Sequence, residues 1–257
     1  VRILLVGDTH RNSTFLASAF AAAKRNECEL IVQLGDFGFG WQWLPLTDTL
    51  AVCKFSAIAS MLVEKTGIGL RFIDGNHENF DKLSLLPVGE TGMREVAPGV
   101  FHLPRGMRFE IDGASFLALG GATSLDRLAR TPSVSWWEAE AITTRDVEAC
   151  GSETVDVLLT HDMPLQCGLR SDRAQSGFGI KADMDWYLNR LRVAEVVETV
   201  RPKWVFHGHL HHRYERDLRP ELATTVLGLA SDKSPLGLSS VVFDTQVQTI
   251  HLTEVEG

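Results

Sequence analysis

Six short apolar runs punctuate the chain, at Ile3 to Val6, Leu30 to Leu34, Leu70 to Ile73, Phe116 to Leu119, Val155 to Leu159 and Trp204 to Phe206, and each closes within two residues on Gly, Asp or His. Runs of three to five residues bounded this way have the length of β-strands. Helix-like segments, Thr14 to Arg25 and Leu50 to Lys65, separate the first three. A βαβαβ start of this kind predicts a largely parallel sheet, buried on both faces. A further helix is predicted from Asp185 to Val200, where Trp186, Leu191, Ala194 and Val197 approximate one apolar stripe and Pro202 ends it.

The remaining strand-like segments differ in character. Phe101 to Phe109, Ala114 to Leu119, Leu222 to Leu229, Ser239 to Phe243 and Val247 to Leu252 read as strands with short connections, predicting a second, mixed or antiparallel sheet. Trp136 and Trp137 read as the start of another helix. At 257 residues and 44% apolar content, one domain spanning 1–257 is expected. No repeat, low-complexity tract or linker interrupts it, and Gly168 to Asp183 reads as a long surface loop.

Composition narrows the function classes. The formal charge is −8 and the acidic residues are dispersed, which argues against extended nucleic-acid binding. Cys28, Cys53, Cys150 and Cys167 form no Cys-x-x-Cys pair, which fits a reducing, cytoplasmic setting. The opening Val1 to Val6 run is too short for a signal segment and reads as the first strand. No apolar stretch approaches the roughly 20 residues of a membrane span. The composition permits a homo-oligomer.

Chemistry collects where the strands end. Asp8-Thr9-His10, Gly35-Asp36, Gly75-Asn76-His77-Glu78, Thr160-His161-Asp162 and Gly208-His209-Leu210-His211 each follow or nearly follow an apolar run, so carboxylates and imidazoles are delivered repeatedly to strand ends. A two-metal phosphoryl-transfer site needs a carboxylate bridging both ions and further ligands on each. Asp36 is the natural bridge, with Gly38 and Gly40 leaving room for close approach. Asp8 and His10, two residues apart at a strand end, can chelate one ion, and Asn76 offers a neutral oxygen to the second.

This ordered set resembles the calcineurin-like metallophosphoesterase superfamily, and its blocks run from residue 8 to residue 211. The resemblance implies a four-layer α-β-β-α sandwich of two mixed sheets with flanking helices and a dinuclear site at strand C-terminal ends. It implies that Asp8, His10, Asp36 and His211 bind one metal, and Asp36, Asn76, His161 and His209 the other. Two divalent transition-metal ions follow, Mn first, with Fe, Zn, Co and Ni accepted by the same donors. Alongside Asp36, His77 is the implied catalytic residue, facing the leaving oxygen. A carboxylate such as Asp36 would raise its pKa, and the metals' field would oppose this. His207-Gly208-His209 is a competing His-x-His frame. The family places Gly directly before the first ligand, which favours His209 and His211 and leaves His207, with Asp162, as supporting residues.

Substrate contacts are expected from Arg127 or Arg130, by a bidentate grip on a phosphate oxygen, and from Trp41 and Trp43, by base stacking. Phosphoprotein phosphatases of the superfamily carry arginines in Gly-Asp-x-Val-Asp-Arg-Gly and Arg-Gly-Asn-His-Glu. Here the sequence reads Gly35-Asp36-Phe37-Gly38-Phe39-Gly40 and Asp74-Gly75-Asn76-His77-Glu78, so both arginines are missing. The chain is similar to small bacterial or phage-type phosphodiesterases, which implies small phosphodiesters such as 2′,3′-cyclic nucleotides, with side activity on phosphomonoesters. A phosphoprotein phosphatase, a nuclease and a scaffold that keeps the fold are the competing readings.

Overall fold

The computed structural model describes residues 1–41, 49–168, 180–218 and 221–254, with backbone alone at 49–53. Four parallel strands, β1 (Arg2–Val6), β2 (Leu30–Gln33), β3 (Gly69–Phe72) and β5 (Val100–His102), form the centre of the first sheet. Antiparallel strands close it: β4 (Arg94–Ala97) beside β5, β12 (Ser240–Asp244) beside β1, and β13 (Thr249–His251) outermost. The second sheet repeats this plan. Parallel β7 (Ala114–Leu119), β8 (Val157–Thr160), β9 (Trp204–His207) and β11 (Thr225–Gly228) are flanked by antiparallel β6 (Arg108–Ile111) and β10 (Tyr214–Asp217).

The period of two along each strand decides what each sheet face meets. On β1, Leu4 and Val6 join Ile31, Leu70 and Phe72 against Leu16 and Phe20 of α1 (Ser13–Arg25) and Phe55 of α2 (Thr49–Thr66). Ile3 and Leu5 turn the other way, meeting Phe116, Leu159, Phe206 and Phe243 between the sheets. The outer face of the second sheet packs Leu158, Val205 and Val226 on Val193, Val196, Val197 and Val200 of α5 (Ile180–Val200), beside α4 (Thr144–Ala149). The result is the α-β-β-α sandwich, and it explains why the central strands carry so few polar residues: both of their faces are covered.

Several expectations are corrected. The run from Phe101 to Phe109 is two strands in different sheets, because the Leu103-Pro104-Arg105-Gly106 corner, with Gly106 at φ 81°, carries the chain across. Ser239 to Phe243 and Val247 to Leu252 belong with β1, so both sheets are mixed. No α-helix begins at Trp136 and Trp137; the chain makes a single 3₁₀ turn, Glu138–Glu140. The last long helix begins at Ile180, within the segment that reads as loop, and Leu191 of its expected apolar stripe is exposed. Residues 169–179 of that loop lie outside the described residues. Cys28, Cys150 and Cys167 are free and buried. No helix among the described residues is long and apolar enough to cross a membrane.

Candidate metal centre

The parallel strands of both sheets end on the same side of the sandwich, and the loops that follow them converge. Asp8, His10, Asp36 and His211 offer donor atoms that lie within 4.8 Å of one another. His10 Nε2 is 3.4 Å from Asp36 Oδ2, and His211 Nε2 is 2.8 Å from Asp8 Oδ2. On the other side of Asp36, His161 Nε2 lies 3.3 Å from Oδ1, and the His161 and His209 rings are 5.0 Å apart. Asp36 thus stands between two groups of donors, as a bridging carboxylate must.

Metals fit these residues. Asn76 Oδ1 is buried with no partner, and the buried Asp8 Oδ2 and His161 Nε2 face only His211 and Asp36 of the same cluster. Leaving a buried polar atom unpaired costs roughly 1–3 kcal/mol, so the convergence of these atoms on one site calls for a cation. Separations near 3 Å between donors match ligands about 2.1 Å from a shared ion. The other atoms of these side chains are committed so that the free atoms face inward. His161 Nδ1 pairs with the Leu34 carbonyl at 2.6 Å, and His10 Nδ1 with Asp232 Oδ1 at 2.8 Å. Asp8 Oδ1 accepts the His209 amide at 2.9 Å, and Asp36 Oδ1 the His77 amide at 2.8 Å.

The backbone is bent to achieve this. His10, Asp36, His209 and His211 hold φ values of 43°, 57°, 63° and 53°, a left-handed conformation that costs a non-glycine residue about 1–3 kcal/mol. Close approach requires glycine at three positions of the site: a Cβ on Gly35 would strike His161, one on Gly75 Asp36 and His161, and one on Gly208 Asp8. Glu78 locks two loops together, accepting amides from Phe37, Gly38, Phe39 and Gly75 at 2.6–3.4 Å. Burial pushes its carboxyl up, aided by the charge on Asp36 and opposed by the amides.

Electrostatics follow from burying carboxylates among imidazoles. Burial pushes the Asp36 carboxyl up, but His77, His161 and His10 hold it well below the usual range. Burial would push His10 and His161 down, yet carboxylates keep each at about 10: Asp232, Asp36 and Asp8 around His10, Asp36 and Asp8 around His161. His209, buried and facing His161, falls to about 3. The potential is strongly negative, which suits dications.

At His77 the upward pull expected of Asp36 is present but outweighed by burial. Burial takes its pKa down to about 4; the Asp36 carboxylate opposes this and the Arg130 charge adds to it, so Asp36 does not sustain an imidazolium. Arg130 Nη2 lies 2.9 Å from His77 Nε2, while Asp126 holds the same guanidinium at 2.8 Å. Trp41 stacks on the His77 ring at 4.4 Å and anchors its indole N–H to the Ser135 carbonyl at 3.1 Å. One indole face is thus engaged in orienting His77. Arg127 is instead ion-paired with Asp185 of α5. Trp43 lies outside the described residues.

Of the supporting residues, His207 turns its ring to the Tyr214 hydroxyl at 2.6 Å and the Gly208 carbonyl at 2.9 Å, bracing the loop that carries His209. Asp162 accepts from the Met163 amide and from Asn189 Nδ2 of α5, which ties the His161 loop to that helix. The lone His102 pairs with Asp74 at 3.1 Å, and Arg105 forks onto the same carboxylate at 2.6 and 2.9 Å, holding it well below the usual carboxylate range against burial.

Asp232 escaped sequence reading. It follows β11, so strand-end polarity was its one signal, in Ala230-Ser231-Asp232. It orients His10, and its second oxygen takes Asn12 Nδ2 at 3.0 Å while Asn12 Oδ1 caps α1 at Phe15. Such carboxylate partners typically carry 10–100-fold in metal affinity. Asp232→Ala should therefore weaken Mn²⁺ binding by roughly 10–100-fold, read by calorimetric titration of the metal-free protein; unchanged affinity would contradict the role.

The fold and the converging donors define a metallophosphoesterase. The chain belongs to the calcineurin-like phosphoesterase family, whose model matches residues 1–213. No curated protein matches it in sequence. Among solved structures, TT1561 of Thermus thermophilus superposes with a TM-score of 0.58 at 14% identity, covering 99% of each chain. A dimetal phosphatase from Danio rerio superposes with a TM-score of 0.52 at 12% identity, covering 94% of this chain and 91% of that one. At such identities these likenesses speak to fold.

Proposed function

We propose that the protein is a two-metal phosphodiesterase acting on small phosphodiesters, with 2′,3′-cyclic nucleotides favoured and weaker phosphomonoesterase activity. The observation that carries this reading is the convergence of the buried donors Asp8 Oδ2, Asn76 Oδ1 and His161 Nε2 around Asp36, with a cationic contact, Arg130 on His77, beside them. Asp8, His10, Asp36 and His211 would hold one ion, and Asp36, Asn76, His161 and His209 the other. Bound there, two dications neutralise phosphate oxygens and acidify a water. The family is one of phosphoester hydrolases, and a dimetal phosphatase shares the fold.

The chain's own residues supply the rest. Arg130 is positioned to take a non-bridging oxygen. An oxygen entering between it and His77 replaces their contact and leaves His77 Nε2 facing the leaving group. Among the described residues one arginine stands at this point, which suits the single negative charge of a diester better than the dianion of a monoester, for which the phosphoprotein phosphatases use more arginines. The three buried thiols support a reducing, cytoplasmic setting, and the uninterrupted cores support one domain.

The test is a screen of the Mn²⁺-reconstituted protein against aryl phosphomonoesters, bis-aryl phosphodiesters, and 2′,3′- and 3′,5′-cyclic nucleotides. The 2′,3′-cyclic diesters are expected to show the highest kcat/KM. Monoesters ranking first would overturn the diesterase assignment. Hydrolysis of none, with partner binding that survives Asp36→Ala, would establish a scaffold instead.

A further inference from the structure

The Asn76 amide is a chemically ambiguous metal donor. Its two ends are nearly alike in size, yet only Oδ1 has lone pairs for a cation, while Nδ2 would turn two partial positive charges toward it. Asn76 is buried, so water cannot settle its orientation. Its Nδ2 donates to Ser124 Oγ at 3.1 Å, and Oδ1 is left without a hydrogen bond.

A serine hydroxyl could accept from this amide or donate to it, so Ser124 alone does not choose. The next residue in the chain of hydrogen bonds does. Ser124 Oγ donates to Glu140 Oε2 at 2.8 Å. Glu140 Oε1 takes the Ser124 amide at 2.5 Å and Trp136 Nε1 at 3.0 Å, so donors converge on both carboxylate oxygens. With its proton committed to Glu140, the Ser124 oxygen presents only lone pairs to Asn76, and the amide must answer with N–H. Burial pushes the Glu140 carboxyl up to about 7, opposed by the Ser124 donors and by Arg130. Arg105 fixes the arrangement at both ends, reaching the Glu140 carbonyl at 3.1 Å and the Asp74 carboxylate at 2.6 Å, two residues before Asn76.

We infer that Ser124 and Glu140 are positioning residues that set the Asn76 amide with its oxygen toward the metal centre, and so determine the affinity of the ion Asn76 serves. The inference rests on the two-metal reading above. Nothing in the local sequence announces it, since Glu140 sits in a 3₁₀ turn 64 residues beyond Asn76.

The test is a Mn²⁺ titration of metal-free protein, following heat and the spin-coupled signal of a Mn pair by electron paramagnetic resonance. Wild type is expected to bind two ions. Ser124→Ala and Glu140→Gln should weaken only one of them, by about 10–100-fold, and Ser124→Thr should restore it. The decisive comparison uses Asn76→Asp, whose carboxylate presents an oxygen whichever way it turns: adding Ser124→Ala to it should cost no affinity. Two ions bound with unchanged affinity in Ser124→Ala and Glu140→Gln would overturn the relay and leave the two-metal reading standing. Equal loss of both ions, or the same Ser124→Ala penalty in the Asn76→Asp background, would show a structural role and also overturn it. Wild type that binds no pair would remove the two-metal reading itself.

Discussion

Asp36→Ala is expected to reduce phosphodiester turnover by about 10³-fold, roughly 4 kcal/mol of barrier, and to leave the protein unable to hold a metal pair. Asp36 stands between both donor groups, with Oδ2 toward His10 and Oδ1 toward His161. The substitution also removes the acceptor for the His77 amide, so the loop bearing Asn76 loses one of its ties. Glu78 still pins that loop through backbone amides, and the fold should survive. Metal content by plasma mass spectrometry, beside steady-state kinetics, checks both halves. A variant that keeps two ions and most of its turnover would show that Asp36 does not bridge.

Arg130→Ala is expected to have the second largest effect, lowering kcat/KM for diesters by about 10²–10³-fold while metal content stays at the wild-type level. The Arg130 side chain is only 4% exposed, held by Asp126 and aimed at His77, so its charge acts where water screens little. Arg130→Lys should recover only part of the loss, because a point charge does not reproduce the planar fork. His77→Ala should likewise lower turnover, by about 10²-fold, and spare the metals, since His77 contributes its backbone amide, and no ligand atom, to the arrangement around Asp36. Wild-type kcat/KM in Arg130→Ala would remove the arginine from substrate binding, and loss of metal in His77→Ala would make that histidine a ligand.

The parts of the fold legible in the sequence are those governed by local period. β1 and β2 are nearly continuous apolar runs because both faces of a central strand are covered. Edge strands give no such signal: β10, Tyr-Glu-Arg-Asp, is largely solvent-facing and reads as a charged loop. The short helices α3 (Phe80–Leu85) and α6 (Leu236–Ser239) are set by caps and packing, Asn79 capping the first through the Lys82 amide, and are too brief for a helical period. Sheet membership was likewise hidden, since it depends on where Gly106 lets the chain cross.

The proposed ligands were legible for a related reason. Each is delivered by the end of a strand, so sequence position and spatial position coincide. Their supports are not: Asp232 reaches His10 across 222 residues, and Arg105 reaches the 3₁₀ turn through backbone carbonyls, which any residue possesses. The loops that aim the site are joined by contacts whose partners only the folded chain brings together. Arg127 and Arg130 look equivalent in sequence, and the neighbouring Asp185 and His77 separate them.

Two ions held around Asp36 are expected to make this chain a phosphodiesterase. Turnover of a bis-aryl phosphodiester, followed as Mn²⁺ is titrated into metal-free protein, tests this most directly. Activity should rise to saturation at two ions per chain and be lost on chelation. Turnover that stays absent at every metal ratio, or that chelation leaves unchanged, would contradict that expectation.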